Sequence, residues 1–143
     1  MSALAGYSGT PLAQKLGLKD GQRVLFVDLP ESLASLKTAR QFGAMVEAGW
    51  SGLGDAGTGF DVVHGFTAAR HDLQAAAKPL MDSIDRDGTI WVSWPKKASK
   101  VATDVTEDVI REIALPIGLV DVKVCAVDAI WSGLKLVIRK ELR

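Results

Sequence analysis

Between Gly88 and Arg111 the chain reads GTIWVSWPKKASKVATDVTEDVIR, and this stretch restricts the fold more than any other. Thr89 to Trp94 is a short apolar run opened by Asp87-Gly88. A run that is apolar at successive rather than alternate positions is the pattern of a central strand buried on both faces. Pro95 ends it, because proline has no N–H to give to a ladder. Asp104 with Glu107 three residues on makes a capping-box pattern, which predicts a helix starting near Val105. Strand, basic loop and helix form the repeating unit of a parallel α/β sheet, whose ligands collect at the carboxyl ends of the strands. The loop carries Lys96, Lys97, Ser99 and Lys100, and the approach to the helix adds Thr103, Asp104 and Thr106. Three ammonium groups beside a helix N-terminus are an expected anion-binding rim. Lysines that only solvate an exposed loop are the competing reading.

The two-faced pattern recurs at Arg23 to Leu29 (RVLFVDL), and Asp61 to Phe66 (DVVHGF) is again strand-like. Thr10 as N-cap with Pro11 behind it predicts a short helix from Pro11 to about Leu16. Leu33, Leu36, Phe42 and Val46 fall loosely on one helical face, which predicts a helix over roughly 32–42. Gly43 to Gly59 holds six glycines and reads as loop, with Ala44 to Glu47 either a short strand or the tail of that helix. Arg70 to Ile84 has helical spacing and a bend expected at Pro79, and the helix after Val105 stops by Pro116 and Gly118. Val120 to Val127 and Leu134 to Arg139 alternate, so they pair as an antiparallel hairpin.

A chain of 143 residues, 48% hydrophobic and 24% charged, predicts one globular domain over 1–143. Seventeen basic against seventeen acidic residues leave no net charge, which argues against a general nucleic-acid binder. One cysteine and two histidines supply neither an intrachain disulfide nor a zinc-ligand set, so no metal is expected. The first residues lack a basic region followed by an apolar core, and no run of about eighteen apolar residues occurs, so the expected setting is cytoplasmic and off the membrane.

Strand, helix, strand, helix, strand, helix and a terminal hairpin describe a reduced, doubly wound α/β domain with a mostly parallel sheet. This order resembles the methyltransferase-type Rossmann arrangement. GYSGTPLAQKLGL at 6–18, SWPKKASKVATDVTEDVIREIALPIGLVDVKVCAVD at 93–128 and WSGLKLVIRKEL at 131–142 resemble a small bacterial family described only as a domain of unknown function. That family implies no activity. The methyltransferase arrangement implies a glycine-rich turn after the first strand, where the backbone approaches S-adenosylmethionine. Here the turn is Asp28-Leu29-Pro30-Glu31-Ser32, without glycine, so this cofactor is disfavoured. Asp28 and Glu31 would flank it, with Glu47 placed for ribose hydroxyls. Gly52 to Gly57 matches GxGxxG but precedes a strand and opens no helix, the wrong context for a pyrophosphate.

His64 reads as a hydrogen-bonded core histidine rather than a base, and Cys125 as a small buried hydrophobe. Trp94 and Trp131 are candidate pocket walls. The preferred reading is a non-catalytic, methyltransferase-like module binding an anionic small molecule or a protein partner. An active S-adenosylmethionine-dependent methyltransferase is the alternative, and an oligomeric subunit using the hairpin edge the third.

Overall fold

The computed structural model describes residues 11–143. At its centre is a sheet of order β2-β1-β3-β4-β6-β5. The strands are β1 (Arg23–Val27), β2 (Ala44–Ala48), β3 (Phe60–Phe66), β4 (Ile84–Pro95), β5 (Leu119–Ala126) and β6 (Trp131–Ile138). The pairs β1/β2, β1/β3 and β3/β4 are parallel, and β6 is antiparallel to both β4 and β5. This is the doubly wound, mostly parallel α/β sheet with an antiparallel terminal pair that the apolar runs predict.

Successive residues of the central strands serve two cores. Leu25, Val27, Val63, Ile90, Val92 and Trp94 belong to a larger cluster closed by α2 (Arg70–Ser83) and α3 (Glu107–Ala114). Val24, Phe26, Val62, Phe66 and Trp91 belong to a smaller one, closed by α1 (Leu12–Lys15) and a 3₁₀ segment, Glu31–Thr38. Trp91 and Trp94 therefore face opposite ways, as a spacing of three in a strand requires. The Trp91 indole N–H donates to the Leu16 carbonyl at 3.0 Å and ties the chain after α1 to the sheet.

Several sequence expectations need correction. The helix predicted over 32–42 is the 3₁₀ segment Glu31–Thr38, interrupted at Leu33 (φ −110°, ψ 16°). Leu33 and Leu36 are its buried residues, and a spacing of three is the repeat of a 3₁₀ turn. Phe42 lies beyond its end, and Val46 sits in β2, which settles Ala44 to Glu47 as strand. A Cβ at Gly43 would stand 2.7 Å from the Gly21 carbonyl oxygen, so glycine is required where the chain enters β2. The glycine-rich loop is also partly ordered, as a 3₁₀ segment at Trp50–Asp55. The third long helix begins at Glu107 rather than near Val105, and Thr106 caps it by accepting from the Val109 N–H at 3.2 Å. Asp104 instead accepts from the Arg70 N–H at 2.6 Å, at the start of α2. The expected cap at Thr10 lies outside the described residues; α1 begins directly after Pro11.

The terminal hairpin inserts β6 beside β4 and leaves β5 as an edge with a register shift between Asp121 and Lys123. Val122 and Val124 are 52% and 45% exposed there. Arg111 fastens α3 to this strand, its Nε donating to Asp121 at 2.9 Å while its guanidinium also pairs with Glu107. The guanidinium holds the Asp121 carboxyl below its usual range. Among the described residues no helix is long and apolar enough to cross a membrane, and no group of three His, Cys, Asp or Glu is placed to hold a metal ion.

Candidate functional site

Chain order reverses between β1 and β3. The connection from β1 to β2 leaves on the face of the smaller core, and α2 carries β3 to β4 on the other. Two crossovers diverging from adjacent parallel strands open a crevice outside their carboxyl ends, the usual ligand position in such sheets. Asp28, directly after β1, and Thr67, directly after β3, stand at its two sides.

Asp28 adopts a left-handed conformation, φ 54°, which short polar side chains tolerate better than most. Its N–H donates to the Ala48 carbonyl at 2.9 Å, so the first turn is bound to the end of β2. A Cβ on Gly49 would lie 3.5 Å from the Asp28 carboxylate, so that carboxylate passes close over Gly49. Across the crevice the Thr67 hydroxyl donates to Asp72 Oδ2 at 2.9 Å and receives the Ala69 N–H at 3.0 Å. Burial and then the nearby Asp72 charge push the Asp28 carboxyl above its usual range. The arrangement presents acceptors and negative charge, suited to ammonium, sulfonium or hydroxyl groups and unsuited to phosphate. Pro30 supplies no N–H, and the turn leads into the 3₁₀ segment rather than an α-helix, so no helix dipole points into the crevice from β1.

Trp50 closes one side. It is 8% exposed, and its indole N–H donates to the Phe66 carbonyl at 2.9 Å. The ring lies over Gly65, where a Cβ would stand 2.6 Å from its outer edge.

Thr67, Asp72, Gly49 and Trp50 are not among the sequence candidates. The one sign of them in the chain is Gly65 inside an apolar strand, since a strand glycine often marks close approach by another group. Of the acidic candidates, Asp28 is in the crevice, Glu31 lies exposed in the first turn of the 3₁₀ segment, and Glu47 is in an ion pair with Lys37 at 3.3 Å. Trp94 is buried in the larger core. Trp131 is folded back onto the sheet, edge-on to Phe66 with ring centroids 5.4 Å apart.

The expected anion rim forms a separate loop. Ser99 donates to the Lys96 carbonyl at 2.6 Å, Thr103 donates to the Ala68 carbonyl at 2.7 Å, and Asp104 and Thr106 cap α2 and α3. Thr103 and Asp104 therefore hold the loop against the start of α2, while the Ser99 and Thr106 bonds stay within the loop and the first turn of α3. Lys96, Lys97 and Lys100 are in no ion pair among the described residues. The GxGxxG match at 52–57 begins inside the 3₁₀ segment and ends at Gly57 (φ 109°), ahead of β3, and opens no α-helix.

His64 is the hydrogen-bonded core histidine expected. It is 1% exposed, its Nε2 lies 2.7 Å from Ser93 Oγ, and its ring stacks on Phe66 at 4.2 Å. Burial lowers its pKa to about 3. Cys125 is half-buried, and burial raises its thiol pKa, which is the opposite of an activated nucleophile.

No family model matches this chain, and no curated protein does. Solved structures do. Magnesium protoporphyrin IX methyltransferase from Synechocystis PCC 6803 with bound SAM superposes with a TM-score of 0.60 at 16% identity, over 85% of this chain and 71% of that one. A TehB-like SAM-dependent methyltransferase from Corynebacterium glutamicum gives 0.57 at 13% identity, covering 94% and 91%. The fibrillarin pre-rRNA processing protein of Methanococcus jannaschii gives 0.53 at 11%, covering 85% and 68%. At these identities the likeness is one of fold, a methyltransferase-like Rossmann arrangement.

Proposed function

We propose that this chain binds a ligand of the S-adenosylmethionine class in the crevice between β1 and β3. The observation that carries the reading is Asp28, held at φ 54° over Gly49 at the switch point, with its carboxylate across from Asp72. Asp28 would accept from ammonium or hydroxyl donors of the ligand, and Asp72, oriented by Thr67, would add negative charge toward a sulfonium. When bound, that ligand supplies an electrophilic methyl group. The SAM-bound state of one structural neighbour supports the choice of ligand. The missing glycine turn, taken from sequence as disfavouring this cofactor, removes backbone donors but leaves these side-chain acceptors in place.

Calorimetric titration with S-adenosylhomocysteine tests the reading. The expected result is micromolar binding, weakened about tenfold, or ~1.4 kcal/mol, by Asp28→Asn. Asparagine also tolerates a left-handed backbone, so the variant should melt within a few degrees of the parent. No saturable heat at millimolar ligand would end the proposal.

A second reading, an anion or acidic-partner site at the Lys96, Lys97 and Lys100 loop, is favoured by those side chains being outside ion pairs. Inorganic phosphate should then bind saturably and lose at least tenfold in affinity in the Lys96→Ala/Lys97→Ala double variant, with unchanged melting. Equal phosphate affinity in the two proteins would remove this reading.

A further inference from the structure

A groove of about 360 Å³ separates the 3₁₀ segment Trp50–Asp55 from α2, with Trp50, Ser51, His71, Asp72, Ala75 and Pro79 in its walls. A smaller one of about 190 Å³ continues it past Gly57 and Thr58, the two sharing Leu53, Gly54 and Pro79. Three features set what it can hold. Pro79 lies inside α2 and has no N–H, so the carbonyl of Ala75, four residues earlier, lacks its helical donor. Ala75 and Pro79 both line the groove, so the turn of α2 that Pro79 interrupts forms part of its wall. Asp72 has given only Oδ2 to Thr67, and its other oxygen has no hydrogen bond among the described residues. The Trp50 N–H is committed to the Phe66 carbonyl, which leaves the indole to offer an aromatic surface and no donor. Among the described residues neither a lysine nor an arginine lines either part.

We propose that this groove is a binding site for a flat aromatic molecule bearing a cationic or donor-rich nitrogen, an amidine or an aromatic amine. The ring packs against Trp50, where a cation near an indole gains further attraction. Its N–H groups pair with the Asp72 carboxylate and reach toward the Ala75 carbonyl, and an anionic ring of the same shape is repelled by the Asp72 charge. The inference stands whether or not an adenosyl ligand binds at Asp28.

The test uses benzamidine, neutral benzamide and anionic benzoate as probes of the full chain, followed through the indole N–H resonances, with Trp50 assigned by its loss in Trp50→Phe. Benzamidine should shift the Trp50 signal saturably with roughly millimolar affinity, as expected of so small a ligand. Benzamide should bind at least fivefold more weakly, and benzoate not at all. Pro79→Ala restores an N–H to the Ala75 carbonyl, so it should raise the melting temperature while weakening benzamidine at least fivefold. A well-folded Pro79→Ala protein that binds benzamidine as the parent does, or benzoate binding as tightly as benzamidine, would overturn the proposal. The two sites share Trp50 and Asp72, but Asp28 does not line the groove and Pro79 is not part of the crevice. Asp28→Asn should therefore weaken S-adenosylhomocysteine and leave benzamidine unchanged while Pro79→Ala does the reverse, which makes failure of either reading visible without the other.

Discussion

Replacing Gly65 with alanine is expected to destabilise the domain by about 3 kcal/mol, a fall in melting temperature of roughly 10 °C for a chain of this size. Gly65 is interior to β3, paired with Val27 of β1 and Val92 of β4. The new Cβ would stand 2.6 and 2.8 Å from two carbons at the outer edge of the Trp50 ring. The indole is rigid, and the edge that the new Cβ meets adjoins the N–H bonded to the Phe66 carbonyl, so moving that edge away pulls on the same bond. Trp50 must therefore lift, which breaks a buried hydrogen bond and loosens the 50–55 segment from the sheet. Chemical denaturation of the four proteins in a Gly65→Ala/Trp50→Phe cycle measures this. Phenylalanine lacks the second ring, so the double variant should lose less than the sum of the two singles by 1 kcal/mol or more. A Gly65→Ala protein melting within 2 °C of the parent would show that the indole does not sit against the strand.

Acid should unfold this protein through His64. Its pKa falls from 6.5 to about 3 on folding because the ring is buried, beside Ser93, Phe66 and Trp91, which carry no charge. Between those values the unfolded chain binds a proton that the folded chain refuses. Stability is thus complete above pH 6.5 and falls as the pH drops toward 3, by about 1.4 kcal/mol per unit at the steepest. The accumulated loss at the lower end is on the order of 5 kcal/mol, comparable to the whole stability of many domains. Asp28 acts in the opposite sense, since its raised pKa favours the folded state as the pH falls, but it is exposed and solvent screens the effect. Urea melts from pH 7 to pH 4.5 should show the decline, and His64→Leu/Ser93→Ala, less stable at pH 7, should show a flatter profile over the same range. A parent profile flat from pH 6.5 to 5 would mean that the imidazole finds water or a partner when charged.

The strands that build the sheet were legible in the chain because two-faced burial is written in successive residues. RVLFV, VVHGF and TIWVSW need no distant partner to declare that both faces are covered, and the helix after Pro11 is equally local. The alternation after Leu119, by contrast, marked the hairpin pairing but not a buried face, since Val122 and Val124 are exposed. The buried histidine was readable for the same reason, from its place within an apolar run. What only the tertiary structure decided depends on groups far apart in sequence. Asp104 looks from its neighbours like the cap of the helix that follows, but it caps α2, 34 residues earlier, because Thr106 already satisfies α3 and the loop folds back through Thr103 onto Ala68. Leu33, Leu36, Phe42 and Val46 have the spacing that predicts a helix over roughly 32–42, yet the chain forms 3₁₀ turns at Glu31–Thr38 that bury Leu33 and Leu36, and Val46 is taken up by pairing with β1. Trp50 sits among six glycines with no local pattern, and its role follows from Gly65, fifteen residues on, and from the Phe66 carbonyl, 16 residues on. The chain by itself specified which segments are covered on both sides. The crevice of Asp28, Thr67 and Asp72 came from the order in which the strands lie, a property of packing among segments that no single segment contains.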